Sequence, residues 1–95
     1  MIVTLDEAKE YLRIDIADED STVENLLKSA QNLCMDVARI SDENEFDAAG
    51  DISKTAVLYA LGYFYEHRGD NTDTDLHALT LTLRSLLFGI RQGVH

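Results

Sequence analysis

The stretch from Ala56 to Tyr65 constrains this chain more than any other feature. Read as a helix of about Ile52 to Arg68, it carries Ala56, Val57, Leu58, Tyr59, Ala60, Leu61, Tyr63, Phe64 and Tyr65, which leave almost no polar face. Such a helix must be covered nearly all round. The chain has 95 residues, enough for one small domain spanning 1–95 with one core, since domains usually run to roughly 100–150 residues. The few other helices of a monomer this small cannot supply full cover, so part of this surface is a candidate subunit contact, with Tyr59, Tyr63 and Phe64 as its residues. Gly62 costs about 1 kcal/mol against Ala in a helix interior. Close approach by another helix would offset that cost.

The chain contains no proline and only five glycines, and neither a flexible linker nor an internal repeat interrupts it, which points to a compact, mainly helical domain. Four helices can be placed. The first opens at Thr4, because Thr4 and Glu7 have the T-x-x-E spacing in which each satisfies the other's backbone donor, and it runs from about Leu5 to Arg13. An acidic connection follows from Asp15 to Asp20. Ser21 and Glu24 repeat the box spacing ahead of Val23, Leu27, Ala30, Cys34 and Val37, so the second helix is expected from about Thr22 to Ile40. Ser41–Gly50 reads as a polar, acidic loop with Phe46 as its one large apolar residue. The apolar third helix closes at Arg68-Gly69, where a cation and a left-handed glycine suit a helix end. Asp70–Asp75 is a second acidic loop. From Leu76 a fourth helix places Leu79, Leu83, Leu86, Leu87 and Ile90 on one stripe with Arg84 and Arg91 outside it, and Gly93-Val94-His95 is a frayed end. The expected fold is therefore all-α, a compact small bundle of about four helices with the apolar third at its centre.

Eight Lys and Arg stand against eighteen Asp and Glu, a formal charge of −10. This repels polyanions. The cations are spread along the chain rather than gathered in a stripe, which excludes a conventional nucleic-acid reader and docking on an anionic membrane. An acidic surface suits two other tasks, letting DNA pass without sticking and imitating DNA toward a basic partner. The longest apolar run is about half of the ~20 residues a membrane span needs. The opening MIVTLDEAKEYL has neither a basic leader nor a long apolar core, and Cys34 is the only cysteine, so a soluble, cytosolic protein without a disulfide is expected.

Chemistry-bearing patterns fail on spacing. A calcium loop needs Glu at its twelfth position, and counting from Asp73, Asp18 and Asp42 reaches Arg84, Ser29 and Ser53 instead. His67, His77 and His95 have no partner at helical ligand spacing, and Cys34 lies on the apolar stripe of the second helix, where it reads as a small hydrophobe. The tripeptide Arg68-Gly69-Asp70 is already explained as a helix end. Tyr59, Tyr63 and Phe64 would need cations beside them to act as a base-stacking platform. No phosphate cradle or nucleophile elbow occurs, so neither an enzyme, a cofactor nor a metal site is expected.

Ile2-Val3-Thr4-Leu5-Asp6-Glu7-Ala8-Lys9-Glu10-Tyr11-Leu12-Arg13-Ile14-Asp15, an acidic break and a long helix from Asp20-Ser21-Thr22-Val23-Glu24 form the first part of a longer pattern. Ala60-Leu61-Gly62-Tyr63-Phe64-Tyr65-Glu66-His67-Arg68 and, after a loop, Leu83-Arg84-Ser85-Leu86-Leu87-Phe88-Gly89-Ile90-Arg91 complete it. Over nearly its whole length the chain resembles the small head-tail connector proteins of tailed bacteriophages and prophages, the DNA packaging and portal adaptor family. It departs from them at His67, where the family commonly has Asn, and at Leu79-Thr80, where Leu-Pro commonly opens the last helix. The resemblance implies a structural virion protein without an active site, assembled in the bacterial host cytoplasm. Identical subunits would form a ring beneath the portal protein, meet a downstream tail-completion or stopper protein, and lengthen the channel through which DNA passes. A ring uses two different faces of each subunit, so the excess apolar surface is expected in two patches. Glu43, Glu45 and Asp47 are the candidates for an acidic loop that faces the channel and repels phosphate, against the plainer reading that they only solubilise that loop. The alternative function is a small acidic interaction or DNA-mimic regulatory protein.

Overall fold

The computed structural model describes residues 1–67 and 73–90, with side chains for 1–67 and 77–89. Among these there are five α-helices and no strand: α1 (Leu5–Leu12), α2 (Asp20–Ala38), α3 (Glu43–Asp47), α4 (Asp51–Glu66) and α5 (Asp73–Leu86), with 3-10 turns at Ala17–Glu19 and Phe88–Ile90. The four longer helices are those expected, and α4 is the apolar third. It packs on α1, α2, α3 and α5, most extensively on α2. α1 and α5 each pack on both α2 and α4, so they flank this central pair.

Local chemistry explains where the helices begin and end. The Thr4 hydroxyl accepts from the Glu7 N–H at 3.1 Å while the Glu7 carboxylate accepts from the Thr4 N–H at 3.0 Å, the reciprocal cap expected for α1. α1 stops at Leu12 and α2 at Ala38, one and two residues short of expectation, because Arg13 and Arg39 adopt left-handed backbone (φ 59° and 60°). Ile14 and Ile40 then fold back, their N–H groups donating to Lys9 and Met35 carbonyls.

The second box does not form. A turn at Ala17–Glu19 leads straight into α2 at Asp20, held there by Lys9 on the Asp20 carboxylate (2.6 Å) and by the Tyr65 hydroxyl donating to Glu19 (2.9 Å). Ser21 is therefore the second residue of α2, with helical backbone, rather than the residue ahead of the helix that a cap must be.

Ser41–Gly50 is not a plain loop. Asp42 accepts from the Asn44 N–H at 3.0 Å and starts α3, and Phe46 is fully buried among the core residues. The Ser53 hydroxyl of α4, itself buried, donates to the Phe46 carbonyl at 2.6 Å and fastens α3 to α4. α5 begins at Asp73, three residues early, so Asp73–Asp75 belong to a helix rather than to the expected acidic loop. Leu79, Leu83 and Leu87 are buried as expected, while Leu86 is 38% exposed, because α5 ends there and Leu87 takes the inward position. The Arg68-Gly69 helix end, residues 70–72 of the second acidic loop, the Ile90 side chain, Arg91 and the frayed 93–95 lie outside the described residues.

Candidate subunit interface

Packing against the other helices covers Ser53, Ala56, Val57, Ala60 and Leu61 of α4 and leaves its opposite face open. Ile52 and Tyr59, two turns apart on that face, are 44% and 43% exposed. Of the three interface candidates, Tyr59 offers the most surface. Tyr63 is half-buried, stacked on the His67 ring at 4.3 Å between centroids and edge-on to Phe64 at 6.3 Å. Phe64 packs largely against the core.

Beside Tyr59 a groove of about 470 Å³ opens between the end of α1 and the second half of α4, lined by Tyr11, Leu12, Arg13, Tyr59, Gly62, Tyr63, Tyr65 and Glu66. Gly62 is one of the residues that line it. A Cβ there would lie 3.3 Å from the Tyr11 ring, so the close approach expected at Gly62 is made by a side chain of α1. Tyr11 itself is half exposed.

A second apolar cluster lies on α5 and the 3-10 turn after it, turned away from the buried Leu79, Leu83 and Leu87. Leu81 is 49% and Phe88 64% exposed, and with Arg84 and Ser85 they border a shallow depression. The exposed large apolar side chains thus form one patch on α1 and α4 and another on α5, with Met1 and Ile16 on other segments. Two patches were expected, but sequence reasoning did not place the second. Its signal was present, since Leu81, Ser85 and Phe88 recur at i, i+4 and i+7 opposite the leucine stripe.

Glu43, Glu45 and Asp47 are all exposed, but they stand on α3 rather than on a loop. Their charges are not equivalent. The terminal ammonium of Met1 lies 2.7 Å from Glu43, and this bond, helped by Gln31, holds the Glu43 carboxyl below its ordinary value. Cys34 is fully buried, and burial pushes its thiol up to about 12. Among the described residues no three His, Cys, Asp or Glu side chains converge as a metal site, and no helix is long and apolar enough to cross a membrane.

No curated protein and no solved structure matches the chain. A family model described as phage gp6-like head-tail connector protein matches residues 2–93. That range takes in the capped first helix, the apolar α4 and the α5 patch alike, and with the all-α fold around them the chain belongs to the phage gp6-like head-tail connector family, structural components of the virion.

Proposed function

We propose that this protein is one subunit of a homo-oligomeric ring that docks beneath the portal protein, lengthens the DNA channel during packaging and head completion, and presents its far side to a tail-completion or stopper protein. The family match over residues 2–93 carries this reading. Two separated apolar patches on a single domain support it, because a closed ring needs two unlike faces on each subunit. The task is positional, with no bond made or broken, and assembly takes place in the host cytoplasm.

Glu43, Glu45 and Asp47 face the lumen and keep DNA phosphates from adhering, with the Glu43 charge partly offset by the Met1 ammonium. The experiment is negative-stain imaging of the purified chain with the portal protein of the same phage, followed by Glu45→Lys and Asp47→Lys together in assembled particles. Rings on the portal are expected, and the charge-reversed ring is expected to slow DNA ejection. Unaltered ejection would end the lumen assignment. A chain that ignores the portal yet competes with DNA for a basic protein would favour the DNA-mimic reading instead.

A further inference from the structure

We infer that the two apolar patches are the two halves of one contact between copies of this chain: Phe88 of one subunit enters the tyrosine-lined groove of the next, and Arg84 pairs with Glu66 at its rim. This rests on the ring reading above and names the surfaces that the ring would use.

Shape comes first. Phe88 is the most exposed of the large apolar side chains among the described residues, and it projects from the 3-10 turn that follows α5, beside Leu81 of that helix, whose inner face is already filled. The groove beside Tyr59 is concave, and at about 470 Å³ it falls within the range of cavities that accept drug-sized groups. It presents ring faces and edges, against which a phenyl ring gains about 0.5–1.5 kcal/mol beyond its buried area.

Charge fixes the pairing. In a chain of net charge −10, a contact between copies must spend its few cations well. Lys9 and Lys54 are engaged with Asp20 and Glu7. Arg84 is exposed beside Phe88 and makes no ion pair among the described residues, and Glu66 is exposed at the groove and makes none either. Docking Phe88 in the groove brings the α5 cation to the α4 carboxylate. A two-fold arrangement in which the α4 grooves faced each other would instead leave Phe88, the most exposed large apolar side chain among the described residues, uncovered on both copies.

The test is cysteine cross-linking of the full chain. The native Cys34 is buried, with its thiol pushed up to about 12, and stays silent. Tyr59→Cys and Ser85→Cys in one chain, the second beside Phe88 so that the phenyl ring is kept, are expected to give, on oxidation, a ladder of dimers, trimers and larger species. A mixture of the two single variants should stop at dimers containing one of each. Arg84→Glu or Glu66→Arg alone should cut the cross-link yield several-fold, and the two together should restore it, with circular dichroism verifying that each variant keeps its helices. Dimers of Tyr59→Cys with itself, or no rescue by the charge swap, would overturn the pairing. Rings visible by negative stain without the Tyr59–Ser85 cross-link would overturn the pairing and leave the ring reading standing. No assembly with or without the portal protein would overturn both.

Discussion

Arg39 occupies a backbone conformation that costs a side-chain-bearing residue roughly 1–2 kcal/mol and glycine almost nothing. Its side chain is exposed and makes no ion pair among the described residues, so little is lost with it. Arg39→Gly is expected to raise stability by roughly 1 kcal/mol, or about 4–8 °C in Tm for a domain of this size, in a thermal melt. A lower Tm would mean that the arginine stem covers more apolar surface than its exposure indicates. At Cys34 burial raises the pKa from 9.0 to about 12. Below pH 9 both the folded and unfolded thiols are protonated, and pH is without effect. Between there and about 12 the unfolded chain releases a proton that the native state retains, so stability falls as pH rises. Urea unfolding from pH 8 to about 11 should show a steeper loss for the native chain than for Cys34→Ala, and parallel curves would refute the assignment. These two residues also mark what could be read beforehand. The burial of Cys34 follows from its place on an apolar stripe, and the Thr4–Glu7 cap from a three-residue spacing. The left-handed arginines carry no local signature, because what selects their conformation is an isoleucine folding back onto the helix it follows.

At the scale of elements, the join between α3 and α4 is where a short helix depends on tertiary contact. Five residues make too few internal hydrogen bonds to stand alone. Phe46 anchors α3 in the core and Ser53 holds its carbonyl from α4. Phe46→Ala is expected to cost about 3–5 kcal/mol through the cavity it leaves. Ser53→Ala should cost about 1–3 kcal/mol by stranding a buried carbonyl. The double variant should lose less than the sum, because loosening α3 lets that carbonyl reach water. Denaturant titration of the three variants would show this, and strict additivity would mean that α3 is held by something else. The same contact explains why α3 was invisible to periodicity: its cap, Asp42, and its anchor were both in the sequence, but the helix is shorter than one amphipathic repeat. The start of α2 failed in the opposite direction. A correctly spaced Ser21–Glu24 box was present, but α2 starts upstream of it at Asp20, where Lys9 and Tyr65 hold Asp20 and Glu19.

At the scale of the whole molecule, shape and charge set the conditions for assembly. The all-α class and the central place of α4 follow from a segment too apolar to lie anywhere else. Two outer patches were expected but only one could be given residues, because Leu81 and Phe88 look like ordinary members of a leucine-rich helix until the burial of Leu79, Leu83 and Leu87 fixes which side is in. The subunit measures 44 × 30 × 18 Å and carries a net charge of −10. In the proposed ring, neighbours would hold their charges about 30 Å apart, where two unit charges in water repel by about 0.14 kcal/mol, and ten on each side make roughly a hundred such pairs. At 0.01 M salt the screening length is about 30 Å, so several kcal/mol of that repulsion survives; at about 0.15 M it is near 8 Å, and almost none does. Against this a single exposed Arg84–Glu66 pair is worth at most about 1 kcal/mol. Repulsion wins at low salt, and the apolar contact wins once it is screened. Self-association of the chain, followed by sedimentation at these two salt concentrations, is thus expected to strengthen as salt rises. The Phe88→Ala variant should stay dispersed in both, since it keeps the repulsion and loses the attraction. An association that weakened with salt would show that ion pairs, rather than the phenyl ring in its groove, hold neighbouring copies together.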